Sequence, residues 1–200
     1  KNQDEITNAV KDVIKKCILT RGVKVDELPT FDIEYLFLNI RAKSIGEDIK
    51  MTVTCPDDGT TQVPVTVYVD EIEVIKPKDH KTDIVLDDKI TLRMKYPSLS
   101  QFVENNFEVN DDPKTIVSKT FKVVADCMDT VFTQEDAWEA KDYTPDERLK
   151  FIEQLNSKQY KEVEKFFATM PKLSHTIEVI NPNTKQKNSV VLEGLADFFG

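Results

Sequence analysis

The chain has 200 residues, 40% hydrophobic and 32% charged, enough for one large domain or two small ones with a real core. Its 27 Lys and Arg against 36 Asp and Glu leave a net charge of −9, which argues against coating nucleic acid or docking on an anionic membrane, since both need a basic face. No apolar run approaches the roughly 18 residues that span a bilayer, no signal peptide is visible, and 5 Gly leave little room for glycine-rich phosphate loops.

Asp4 to Leu19 is helical by period, with Ile6, Val10, Val13, Ile14, Cys17 and Ile18 on one stripe. Asp4 is the expected N-cap and Gly22 the left-handed stop. A second helix follows Pro29, with Thr30 as cap, acids in the first turn and a body from Phe31 to Ser44. It is apolar on nearly every side, which predicts a place at the centre of the core.

The period then drops to two. Ile49, Met51, Val53 and Cys55 alternate with polar residues, and Pro56-Asp57-Asp58-Gly59 signals a turn. Val63 to Val69 alternate next, with Pro64 marking an edge or bulge. Further strands are expected at Ile72 to Val74, Ile84 to Leu86 and Ile90 to Tyr96, so residues 47–96 predict one antiparallel meander.

After Pro97 the helical period returns. Ser98 caps a short helix to about Asn106; Asp111-Asp112-Pro113 starts a longer one carrying apolar residues through Val131. Glu135 to Lys141 is an acidic connection holding the only Trp, Trp138. Thr144-Pro145 opens another helix and Ser157 caps the next. The tail predicts a hairpin turning at Asn181-Pro182-Asn183-Thr184, then an apolar helical turn from Leu195 to Phe199. The expected class is α+β: helical segments flanking an antiparallel β-meander, with a C-terminal β-hairpin and short terminal helix. The segments are 1–46, 47–96, 97–171 and 172–200, in one or two compact units.

Chemistry-bearing residues are sparse. Cys17, Cys55 and Cys127 are odd in number and widely spaced, which points to a reducing compartment rather than a disulfide framework. Cys17 and Cys127 are expected as small core residues. Cys55 lacks the partners of a four-ligand zinc site. His80 and His175 stand apart from any metal-ligand cluster and are expected at the surface. The pairs Asp57/Asp58, Asp87/Asp88 and Asp111/Asp112 sit where Asp serves the local backbone. No P-loop, dinucleotide fingerprint, nucleophile elbow or zincin helix occurs. No catalytic residue, cofactor or metal is expected.

The run from Leu28 to Glu47 contains Asp32-Ile33-Glu34-Tyr35-Leu36-Phe37-Leu38, then Arg41, Ser44 and Gly46-Glu47. It resembles a signature of the T4-type phage baseplate hub subunit and hub-assembly chaperone family, where such a helix leads into a β-hairpin. Leu192-Glu193-Gly194-Leu195-Ala196-Asp197-Phe198-Phe199 is similar to that family's closing element. In some relatives C-x-x-C pairs stand at two hairpin tips; this chain keeps Cys55 at the first and has Asn181-Pro182-Asn183 at the second. The resemblance implies a non-enzymatic late viral chaperone that helps build the central hub of a contractile-tail baseplate. Its partners would be other hub or tail proteins, met in the host cell cytoplasm. A permanent hub subunit of the virion tail is the alternative, and a hydrolase or metal enzyme the rival from another class.

Expected interaction residues are Arg41, Ser44, Leu195, Phe198 and Phe199. For the Phe pair the other reading is docking on the chain's own core. For Arg41 it is an ion pair with Glu34 or Glu47.

Overall fold

The computed structural model describes residues 3–98, 101 and 112–199. They form helices and antiparallel sheets, the α+β class expected. Contacts divide the chain into two units. One is essentially residues 76–170, joined by 1–8 and 26–30; the other comprises 9–25, 31–75 and 171–200.

In the second unit, α1 (Gln3–Cys17) contributes its C-terminal part and α2 (Thr30–Ile45) all but its first residue. Asp4 lies inside the first turn of α1 and is not its cap. Gly22 holds the expected left-handed conformation, φ +86°. A hairpin follows, β1 (Asp48–Thr54) and β2 (Gln62–Tyr68), in register from Asp48↔Tyr68 to Thr54↔Gln62. Pro64 sits on β2, an edge strand of this two-stranded sheet, where its missing N–H is tolerated. The second sheet has the order β3-β8-β9, with β3 at Glu73–Ile75, β8 at Lys172–Ile180 and β9 at Lys187–Glu193. The alternating apolar residues of both sheets share one cluster: Ile49, Val53 and Val67 from the hairpin meet Leu173, Val179 and Leu192. Burying each such side chain contributes roughly 1.5–3 kcal/mol. Leu38 and Ala42 of α2 close the cluster, as does Phe198 of α6 (Gly194–Phe199).

In the first unit, β4 (Asp83–Val85), β5 (Thr91–Met94), β6 (Met128–Phe132) and β7 (Ala137–Glu139) form an antiparallel sheet in sequence order. Asp87 shapes the β4–β5 turn by accepting from Lys89 N–H and Ile90 N–H. Three helices pack with this sheet into one core: α3 (Pro113–Asp126), α4 (Pro145–Glu153) and α5 (Ser157–Thr169). Asp112 caps α3, with Pro113 in its first turn. Thr144 and Glu147 form a capping box on α4. Asn156 and Gln159 form another on α5, so the cap is Asn156 and not Ser157. Ser98 Oγ accepts from Gln101 N–H, the expected cap; the rest of that helix, to Asn106, and Asp111 lie outside the described residues.

Several expectations are corrected. The strands of 47–96 divide among three sheets and do not form one meander, because β3 pairs with β8, about a hundred residues downstream. Met128 to Phe132 is strand and not the end of a helix: Val124, Cys127, Met128 and Val131 keep helical spacing, but the pairing Leu92↔Val131 and Arg93↔Thr130 with β5 overrides it. The acidic connection contains strand β7 and a 3-10 turn at Ala140–Asp142. Cys17 is exposed, unlike buried Cys127. Thr30 is already helical, and its hydroxyl donates to Pro97 O at 3.2 Å. Finally, α2 is not enclosed on all sides: Tyr35 is 42% exposed and Ile45 73%.

Candidate functional site

A network of side-chain hydrogen bonds joins the tips of the two hairpins in the second unit. At the β1–β2 turn, Asp58 accepts from Thr60 N–H at 3.0 Å, Thr61 N–H at 2.9 Å and the Thr61 hydroxyl. That is the local backbone role expected for a turn Asp. At the β8–β9 turn, Asn181 Oδ1 accepts from Asn183 N–H at 2.8 Å and Thr184 N–H at 3.3 Å.

The remaining donors cross between tips. Asn181 Nδ2 donates to Asp57 Oδ1 at 2.9 Å and to Asp58 Oδ2 at 3.0 Å. The Thr184 hydroxyl donates to Asp57 Oδ2, and Asn183 Nδ2 to Thr61 Oγ1 at 2.9 Å. Asp57 N–H returns a bond to Asn188 Oδ1 at 3.1 Å. Asn181 is fully buried, which a polar side chain tolerates only when its groups are bonded.

The electrostatics follow from these donors. The Thr184 hydroxyl, then the Asn181 amide, hold the Asp57 carboxyl below its usual range. The Thr61 hydroxyl and N–H, with Asn181, hold Asp58 far below it. Burial, reinforced by these two carboxylates, pushes the Cys55 thiol up. The two tips therefore form a carboxylate–amide clasp above a protonated thiol. Among the described residues no group of three or more His, Cys, Asp or Glu is arranged to hold a metal ion. Sequence reasoning named Asp57, Asp58 and the Asn181 turn separately but missed their union. The usable signal was complementarity: two acids at one tip, amides and hydroxyls at the other.

The expected interaction residues are placed as follows. Arg41 is half-buried on α2. Ser44 is exposed, and its hydroxyl donates to Ile40 O at 2.8 Å on its own helix. Of the acids considered for Arg41, Glu47 pairs with Lys43 at 2.5 Å and Glu34 accepts from Leu195 N–H at 3.4 Å. Burial pushes the Glu34 carboxyl up, partly offset by that bond. Gly194, at φ +70°, permits this approach; a Cβ there would lie 3.2 Å from Glu34 Oε1. Leu195 packs against the apolar cluster, and Phe198, 2% exposed, lies inside it. Phe198 thus follows the second reading, docking on the chain's own core, in the cluster that also holds Leu173 and Leu192. The side chain of Phe199 lies outside the described residues.

In the first unit His80 is buried, against the expectation of a surface residue. Its Nε2 lies 2.9 Å from the Tyr96 hydroxyl and its Nδ1 3.0 Å from Thr169 Oγ1. Thr169 spends its own proton on Lys165 O at 2.8 Å. Thr169 therefore accepts from His80 Nδ1–H, and Nε2 accepts from Tyr96. Burial pulls the imidazole's pKa down, helped by Lys76, so the ring is held neutral. A cleft of about 260 Å³ lies beside it, lined by Asp79, Lys81, Asp83, Glu162 and Lys165 among others. Arg93 holds Asp83 at 2.7 and 2.9 Å, and Lys165 lies 3.7 Å from Asp79. In the second unit, His175 Nδ1 lies 3.0 Å from Glu71 O. The two histidines are thus engaged with protein partners. No helix among the described residues is long and apolar enough to cross a membrane.

The model of one protein family, described as T4 bacteriophage base plate protein, matches residues 1–200. No curated protein and no solved structure matches the chain.

Proposed function

The chain belongs to the T4 bacteriophage base plate protein family, and from that premise we propose that it is a non-enzymatic assembly factor, which helps build the central hub of a contractile-tail baseplate through protein contacts. The observation that carries this reading is the family match along the whole chain. Asp57 and Asp58 are committed to the clasp, and both nitrogens of His80 bond to protein hydroxyls. The partly exposed apolar side of α2, with Tyr35 and Ile45, supports a contact role. The net charge of −9 keeps such a factor soluble and steers it toward a basic patch on its client.

Co-expression with individual hub and tail proteins, followed by size-exclusion chromatography, tests the contact role. Co-elution with a hub component is the expected result; co-elution with none would remove the reading. Mass spectrometry of purified virions then separates two forms of it. An assembly factor is missing from mature particles. Stoichiometric presence there would make the chain a permanent hub subunit instead. Metal analysis and the substitutions Cys55→Ser and His80→Gln address the enzyme alternative: no co-purifying metal and intact assembly are expected.

A further inference from the structure

We propose that strand β9 pairs antiparallel with β9 of a second copy of this chain, with Val190 on the two-fold axis and Lys187 of each copy facing Glu193 and Asp197 of the other. β9 ends the order β3-β8-β9, so one of its sides carries no strand among the described residues. The register fixes which backbone groups point there. Asn181 N–H bonds to Gln186 O at 2.9 Å. Because an antiparallel ladder alternates, Val179/Asn188, Ile177/Val190 and His175/Leu192 are also hydrogen-bonded pairs. Lys187, Ser189, Val191 and Glu193 therefore turn their N–H and C=O groups away from β8. Asp197 Oδ2 accepts from Glu193 N–H at 2.8 Å, which closes one end of this edge. The rest is a template for another strand.

The sequence of β9, Lys187-Asn188-Ser189-Val190-Val191-Leu192-Glu193, selects that strand. Reversed about Val190 it sets Ser189 opposite Val191, and Lys187 opposite Glu193. All four residues face outward, so Ser189 and Val191 exchange both backbone bonds on each side of the axis. Their side chains share the exposed face of the sheet. There Lys187 already pairs with Glu178 at 2.7 Å, and Glu193 with Lys172 at 3.3 Å. Dimerisation joins these pairs into an alternating row, Glu178, Lys187, then Glu193 and Lys172 of the other copy. Val191, 53% exposed, and half-buried Val190 gain cover. Natural edges are guarded by a central Lys or Pro, and Ser189-Val190-Val191 contains neither.

Sedimentation velocity across the micromolar range is expected to show a concentration-dependent dimer. Val191→Pro removes an outward donor while leaving the β8–β9 ladder intact. Two copies lose one bond each, so the dissociation constant rises roughly tenfold or more. Lys187→Glu and Glu193→Lys should each weaken self-association. An equimolar mixture of the two should associate more tightly than either variant alone, because positions 187 and 193 then carry opposite charges at both contacts and only one acid at 187 is left facing Asp197. The mixture also carries the test if Val191→Pro disturbs the circular dichroism spectrum. A monomer at every concentration, a dimer insensitive to Val191→Pro in the folded variant, or a mixture no tighter than its components would overturn the proposal.

Discussion

Replacing Asn181 by Ala removes the centre of the clasp. Its side chain makes four hydrogen bonds, two across to Asp57 and Asp58 and two within its own turn. At a net value of about 0.5–1.5 kcal/mol each, the four sum to about 2–6 kcal/mol. Water reaches the carboxylates once the amide is gone, so the lower part of that range, about 2–4 kcal/mol, is the expected loss. For a unit of about 90 residues that lowers the unfolding midpoint of the second unit by roughly 8–32 °C. Calorimetry with hydrogen exchange at Cys55, whose N–H donates to Thr61 O at 2.8 Å beside the tip, is the suitable assay, because Trp138 lies in the other unit and its fluorescence reports there. Asn181→Asp sharpens the test. It keeps the shape but loses both donors and sets a third carboxylate against two. Its neighbours raise the new group's pKa in the folded state, so this variant should gain stability as pH falls from 7 toward 5. A loss below about 0.5 kcal/mol for Asn181→Ala, the size of an ordinary surface change, would refute the clasp.

The parent chain should show the opposite pH trend. Asp57 and Asp58 have depressed folded pKa values, so their contribution is complete above the unfolded carboxylate range, near 4, and is lost as pH falls through the folded values. Urea midpoints between pH 6 and pH 3 should therefore decline. His80 adds an earlier loss: its folded pKa lies below the unfolded value near 6.5, so stability begins to drop as pH falls past that point, and His80→Gln should remove this step. Phe198→Ala should cost about 3–5 kcal/mol, read by calorimetry, because Phe198 is core; truncation after Gly194 should likewise destabilise the fold, and an unchanged midpoint would return that residue to the surface. In a thiol titration with a chromogenic disulfide, Cys17 should react first. Cys127, buried and pushed up to about 12, should react only on unfolding.

Local rules made much of the fold legible. Pro113 and Pro145, with Asp112 and Thr144 before them, located two helix starts because capping is short-range chemistry. The alternation from Ile49 to Val69 gave a real hairpin. Pairing at a distance left no such trace: nothing within Glu73-Val74-Ile75 names Ser174-Leu173-Lys172 as its partner. Met128 to Phe132 reads as helix because Met128 and Val131 continue the spacing of Val124 and Cys127, and its partner strand lies in another segment. For the candidate site, turn propensity explained why Asp and Asn stand at the tips, and the distance between tips in sequence hid that they meet. His80 reads as a surface residue for a similar reason, since Tyr96 and Thr169 reach it from separate elements.

The pairing of Ile75 with Lys172 has a further consequence. The chain between these two neighbours, residues 76–171, leaves and returns at one spot and makes up most of the first unit, which residues 1–8 and 26–30 complete. Closing so long a loop costs chain entropy that grows only logarithmically with length. The cost falls further if the looped segment has already condensed. A short turn grafted across Ile75 and Lys172 should keep the β3-β8-β9 register, while residues 1–8 and 26–30 lose the segment they cluster with. The same spot gives evolution a place to enlarge or trim the looped segment while the sheet that carries it keeps its register.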